Sequence, residues 1–534
     1  MNNKRAGASA WVRACVVGVG LGLGALAAAA QTVRVSGYQV SGNTLLDPRA
    51  VDAVLMPLLG ERTLAELQHA AAAVQALYAR EGWGAVVAWL PPQSGHDGLI
   101  TIKVVEGRIS AVNVVGATRS SPDAVKAALP ALRVGTTPRL RDLDAQLRIA
   151  NENPARQVQV LLKPGREPGQ AEADLQVQER ALQQFTLGLD NTGNDRTGDY
   201  RASLGWQHAS VTGHDDILGA QLQLSPTEPQ RVRVFSSGYR LPLYAQRMAL
   251  DAFFAYSDVD GGNTATVAGD LRFVGRGRVL GVRAAWYLPR WGDFDPRLSL
   301  ALDRRAYLNR CDVEGLGPGA CGPVGESVAV TPLAAEYTLQ RAGERPASLS
   351  ASLHHNLGLG GSHTSAAAFE AVRPGARRNW TALRLGATLA LPVADDWQLR
   401  TRVNTQWTPD ALVPGEQFGM GGAQSVRGYE ERELIGDLGL AASVEVLGPA
   451  LLKADAGQGL LRPVAFVDGG WARNHGDAPC VDVRSHCAAA SLGVGARYAL
   501  GSFSARLDLA YALKDAARTQ RGDTRAHLAL QLGF

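Results

Sequence analysis

Two hydrophobic rhythms divide the chain. Up to about residue 180, short apolar strands alternate with stripes at helical spacing, and from Leu182 onward a period of two takes over. In the first region Val51, Val54 and Leu55 form a stripe behind Asp47-Pro48, and Val125, Ala128 and Leu129 repeat it behind Ser121-Pro122. Both places put a capping side chain before a proline at the first helical position. The repeat has an offset of 74: Gly42, Thr44, Pro48, Val51, Leu55 and Thr63 return as Gly116, Thr118, Pro122, Val125, Leu129 and Thr137. A capping box, Thr63-x-x-Glu66, opens a second helix that closes near Gly82 and carries Leu64, Leu67, Ala71, Val74 and Tyr78 on one face. Its counterpart opens at Thr137-Pro138, with Leu140, Leu143, Leu147 and Ala150 as the stripe. Strands at Val33–Val40 and Ile109–Val115 begin the units, and Ala85–Leu90 with Leu99–Val105, and Gln157–Leu162 with Ala173–Val177, end them. The predicted order is β-α-α-β-β, twice, over 31–107 and 108–181.

Residues 182–534 read differently. Trp397, Leu399, Thr401, Val403, Thr405 and Trp407 alternate with Gln398, Arg400, Arg402, Asn404 and Gln406. Phe503, Leu507, Leu509, Tyr511 and Leu513 alternate with Ser504, Arg506, Asp508 and Ala510. A soluble sandwich also alternates. Here, however, the segments approach the roughly 9–11 residues that a tilted strand needs to cross a bilayer, while soluble strands average about 5–6. Aromatic residues sit at segment ends on the apolar face, and the polar face is densely charged, as a water-filled lumen permits. At about 22 residues per strand and loop, the region predicts a transmembrane barrel of about 16 strands, with 14 and 18 also compatible.

The amino terminus needs separate treatment. Lys4, Arg5 and Arg13 precede an uncharged apolar run from Ala14 to Ala30, and Ala28-Ala29-Ala30 suits signal-peptidase cleavage before Gln31. The predicted signal peptide is 1–30, and the protein is expected to be exported. Beyond it no apolar run is long enough for a transmembrane helix. Four cysteines remain in that exported part, and their spacing predicts two local disulfides, Cys311–Cys321 and Cys480–Cys487. A formal charge of +4, with arginine spread along the chain, gives no footprint for nucleic acid. No nucleophile elbow or CxxC pair is present, so neither an enzyme nor a metal site or cofactor is expected.

Two motifs stand out near the end of the alternating region. Val426-Arg427-Gly428-Tyr429 lies in the Gly-rich stretch Phe418–Leu434, and Phe466-x-Asp468-x-Gly470 follows on a strand. An arginine on a loop folded into a lumen could pair with an inward aspartate; the spacing alone equally fits two unrelated polar residues. With the double β-α-α-β-β repeat, Leu90-Pro91-Pro92-Gln93, Glu106-Gly107-Arg108-Ile109 and the run Gly421–Tyr429, the chain resembles the Omp85 superfamily. Its repeat units are called POTRA domains, and two of them point to the two-partner secretion branch, the TpsB or haemolysin secretion/activation transporters.

The resemblance implies periplasmic POTRA domains at 31–107 and 108–181, then an outer-membrane barrel at 182–534. It implies a VRGY motif on the sixth surface loop, with Arg427 locked onto Asp468 inside the lumen. It implies one partner, a secreted exoprotein with an amino-terminal secretion domain, exported unfolded by a monomer embedded in outer-membrane lipid, with no small-molecule substrate. Strand counting from the family places Cys311 and Cys321 in the fourth surface loop and Cys480 and Cys487 in the seventh. Only Gln31 and Thr32 separate the predicted cleavage site from the first strand, so a plug helix is not expected and closure would rest on inward loops. Other readings are an Omp85-type assembly factor, a porin-like channel or an outer-membrane enzyme.

Overall fold

The computed structural model describes residues 32–94, 97–194, 197–266, 269–308, 326–452, 459–476 and 478–534. The predicted signal segment and the Cys311–Cys321 pair lie outside the described residues. One compact unit ends at Glu106; the other comprises Gly82–Ala85 and Gly107–Phe534.

In the first unit the helices Pro48–Leu55 and Leu64–Arg80 accompany a sheet in the order Gly37–Ser41, Leu99–Glu106, Val86–Trp89. The first pairing is parallel and the second antiparallel. Asp47 accepts from the Arg49 N–H at 2.9 Å, and the Thr63/Glu66 capping box is complete. Buried Val51, Leu55, Leu67, Val74 and Tyr78 form the apolar faces, each worth roughly 1.5–3 kcal/mol in the case of a Val or Leu. The strand expected at Val33–Val40 is broken at Ser36. Its first part, Thr32–Val35, pairs instead with Gly60–Thr63, the segment that leads into the second helix.

Residues from Arg108 repeat this plan. Arg108–Val115, Gln170–Glu179 and Arg156–Pro164 form the sheet in that order, with helices Pro122–Ala127 and Leu140–Ala150. Ser121 caps the first helix. The second starts at Leu140, not Thr137-Pro138, with Arg139 at the cap and no side-chain cap bond. A carboxylate ends each unit in the same way. Glu106 accepts from the N–H groups of Thr44 (2.7 Å) and Leu45 (3.0 Å), and Glu179 from those of Thr118, Arg119 and Ser120 at 2.7–2.8 Å. These bonds tie the last strand of a unit to the loop behind its first, where Gly42 and Gly116 adopt φ of 90° and 87°. At Gly42 a Cβ would lie 2.2 Å from the Val104 carbonyl oxygen, so the close approach requires glycine.

The remaining strands close into an antiparallel barrel, with Gln183–Asp190 paired to Thr524–Gly533. Val328–Val330 and Pro332–Arg341 both pair with Asp295–Tyr307 and are one strand interrupted at Thr331, which makes the count 16. Strands run from 8 residues to the 19 of Met248–Thr266 and Gly269–Tyr287. At about 3.3 Å per residue, that hairpin exceeds the ~25 Å apolar band of such barrels and continues beyond the membrane. Leu187, Leu189, Leu204, Leu222, Phe235 and Leu280 stand exposed on the outer face, and Trp397 and Trp407 mark the two ends of one strand. Near the barrel's start, Arg156 pairs with Asp215 at 2.5 Å and Arg240 with Glu152 at 2.7 Å, joining the second small sheet to the barrel rim.

Candidate functional site

The chain enters the first barrel strand from the side of the second small sheet, so every second connection lies at the opposite, outer rim. Residues 408–437 form the sixth of these. They join Trp397–Trp407 to Leu438–Leu447, carry a small hairpin of Phe418–Met420 and Leu434–Gly436, and fold back against the inner wall.

At its tip Arg427 is 2% exposed and Asp468 1%. Arg427 Nε donates to Asp468 Oδ2 and Nη2 to Oδ1, both at 2.7 Å, and the Arg427 backbone N–H adds a third bond at 3.1 Å. Such a fork is the strongest arrangement open to a guanidinium. Nη1 reaches Glu445 at 2.5 Å and Nη2 reaches Ser443 Oγ at 3.1 Å. The guanidinium carbon lies 3.4 Å from the centroid of the Phe466 ring, a cation–π arrangement.

The alternation along Leu460–Arg473 explains the strand motif. Phe466, Asp468 and Gly470 project inward at successive positions. Phe466 stacks on the guanidinium and Asp468 takes its fork. A Cβ at Gly470 would meet Met420 Sδ at 2.7 Å and Val426 Cγ2 at 3.4 Å, so the glycine makes room for the loop. Gly428 turns the chain with φ 91°, and its N–H donates to His527 Nε2 at 3.1 Å. The Tyr429 hydroxyl accepts from the N–H groups of Ala490 and Lys514 and lies 2.9 Å from both of their carbonyl oxygens. Val426, Tyr429, Phe418, Met420 and Leu434 share a buried apolar cluster around it.

Several partners were not singled out from the sequence. Asp508 receives Arg497 Nη1 and Arg506 Nε, both at 2.6 Å, and lies 3.4 Å from Arg427 Nη1. The cluster therefore sets three arginines, 427, 497 and 506, against three carboxylates, Glu445, Asp468 and Asp508. Farther along the loop, buried Glu416 accepts from Arg305, Arg384 and Tyr307, and Asp437 takes a fork from Arg373 at 2.5 and 2.7 Å. The inward phase of the alternation was the available signal; nothing in it says which inward charges meet.

Cys480 and Cys487 form a disulfide with Cα atoms 5.7 Å apart. Cys487 is in the strand His486–Leu500, not in the loop, because pairing with Arg473 extends that strand to His486. The bond thus ties the seventh connection to the wall.

A family model described as haemolysin secretion/activation protein ShlB/FhaC/HecB matches residues 169–498. The chain belongs to this family. A ShlB-type POTRA model matches residues 33–107. The outer membrane transporter CdiB of Escherichia coli is 26% identical over 502 residues, covering 89% of this chain and 79% of that protein. The solved CdiB from Escherichia coli shares the fold with a TM-score of 0.80 at 21% identity, over 97% of this chain and 93% of that one. BamA from Haemophilus ducreyi, solved without POTRA domains 1–3, gives 0.51 at 14%, over 94% and 99%. Membership of this Omp85 branch places the barrel in the outer membrane with POTRA structure on the periplasmic side, and makes the protein a secretion channel, not an enzyme.

Proposed function

We propose that this protein captures one partner exoprotein in the periplasm on its POTRA sheets and passes it, unfolded, through the barrel to the surface. The observation that carries the reading is the VRGY loop: a large surface segment folded into the lumen and held at its tip by charged hydrogen bonds, which water and a passing chain can replace. Capture is supported by the sheet edges. Val86–Trp89 has no second strand partner among the described residues, and Val87 and Trp89 are exposed there. An extended peptide could add to such an edge. At Arg156–Pro164 the edge is already covered at Val158, whose N–H and carbonyl both bond the Asn151 amide, so the first unit offers the more open edge.

The test is direct. The transporter is co-expressed with an exoprotein that carries an amino-terminal two-partner secretion domain, and the medium is assayed for that exoprotein. Secretion that depends on the exoprotein's amino-terminal domain and on Val87 and Trp89 is the expected result. Secretion unchanged when both are replaced by aspartate would refute capture at this edge. Insertion of other barrels, with no exoprotein released, would favour the assembly-factor reading instead.

A further inference from the structure

The lumen has two unlike walls. The inner face of Gln183–Asp190, Arg201–Ala209, Ile217–Leu224 and Arg233–Leu243 carries glutamine, serine, threonine and glycine through its middle, with Arg201 and Asp190 only at the outer end and Arg240 only at the periplasmic end. Against this wall is a cavity of about 880 Å³ that reaches the periplasmic strand ends at Gln184, Leu460 and Tyr498. The same cavity is bounded on its other sides by Arg400, Arg462, Arg497 and Arg506. No residue of the 408–437 loop lines it.

Gly205 on the neutral wall is informative. Its φ is not in the left-handed region, and a Cβ there would meet nothing closer than Thr186 Cβ at 3.6 Å, an ordinary contact. Neither backbone geometry nor internal packing requires glycine at this position. A strand glycine without such a reason often marks the close approach of another backbone. Gln221 and Thr186 flank it on the neighbouring strands, and amide and hydroxyl groups can exchange hydrogen bonds with any peptide group without regard to sequence.

We infer that this cavity is the seat of the exported chain: an extended polypeptide segment lies along the neutral wall, its acidic side chains turned to the arginine face, before the VRGY loop is displaced. This rests on the export reading above. Arg400 suits the role, since among the described residues it donates to the Gln398 amide at 2.8 Å and has no carboxylate within ion-pair distance. A wall without charges offers no fixed ion pair to arrest a moving chain, whereas the arginine face can orient it.

The experiment places tryptophan at Gly205 or Gln221, with Ser348→Trp, which lines a separate lumen cavity of about 460 Å³, and Leu222→Trp on the lipid face as controls. Outer-membrane level and heat-modifiable mobility report folding. Secretion of the co-expressed exoprotein and unit conductance in planar bilayers are then measured. Gly205→Trp and Gln221→Trp should fold, lower the conductance and reduce secretion at least tenfold, while both controls secrete normally. Should Gly205→Trp fail to insert, Gln221→Trp alone carries the comparison with Ser348→Trp. Reduced conductance with normal secretion would overturn the seat while leaving export intact, as would a block at Ser348→Trp alone. An unsubstituted protein that conducts but exports nothing would overturn both.

Discussion

Replacing Arg427 by alanine would remove every side-chain hydrogen-bond partner that Asp468 has among the described residues. In a water-filled lumen such a lock would be worth about 1–3 kcal/mol. The structure raises that figure. With both residues almost fully buried, breaking the pair falls in the range of about 3–5 kcal/mol typical of a buried charge left without its partner. The cluster would change from balanced to one net negative charge, with Glu445 and Asp508 left to Arg497 and Arg506. Arg427→Lys restores the charge but neither the fork nor the stacking on Phe466, so it should recover only part of the loss. Asp468→Ala in the Arg427→Ala background restores the balance, and the double variant should therefore be no worse than either single one. The assays are outer-membrane level, heat-modifiable mobility, hydrogen exchange of the 426–429 amides and secreted exoprotein. The barrel should insert in all variants, exchange should rise at least a hundredfold in Arg427→Ala, and secretion should fall sharply. Normal secretion by Arg427→Ala, or fully additive losses in the double variant, would refute the lock.

Other outcomes follow from other parts of the molecule. Glu179 loses stability to burial, which raises its pKa, yet the N–H groups of Ser120, Thr118 and Arg119 more than offset this and hold it down to about 2 from 4.5. Its contribution is thus complete above about pH 4.5 and lost as the pH falls toward 2. Glu179→Gln should speed exchange of the Thr118–Ser120 amides at pH 7 about tenfold, and unchanged protection would count against the carboxylate tie. Peptide mapping without reduction should recover 480–487 and 311–321, each contributing about 2–3 kcal/mol by closing a short loop; a bond between the two pairs would overturn the assignment. In planar bilayers under a salt gradient, Arg400, Arg402 and Arg506 should favour anions, and Arg400→Gln with Arg402→Gln should weaken that preference. A cation-selective channel would contradict it.

The sequence carried the architecture because its two rhythms are local. Helical stripes, caps and period-two alternation each depend on residues within a few positions, and so does the inward phase of Asp468 and Asp508. What escaped was non-local. Thr32–Val35 turns to Gly60–Thr63 because a partner strand competes for it, which no pattern within either segment announces. The helix at Leu140 starts without the Thr137 cap that the repeat suggested. The meeting of Arg427 with Glu445 and Asp468 depends on how the loop folds back across three strands, and the motif resemblance named only one of those partners.

The closure of the barrel has a consequence for how the molecule is made. The Asn191 side chain donates to the Ala526 carbonyl across a separation of 335 residues, beside the pairing of the first and last strands. Bringing chain ends that far apart together costs about 5 kcal/mol of loop entropy on the (3/2)RT ln n scaling. No neighbouring hairpin repays that cost, since adjacent strands gain their pairs without it. The seam is therefore expected to form last, and until it does both outermost strands expose unpaired backbone to one another and to any other chain. The molecule is thus most vulnerable to aggregation in the interval between synthesis of its final strand and closure, and its yield should be set by how rapidly that interval ends.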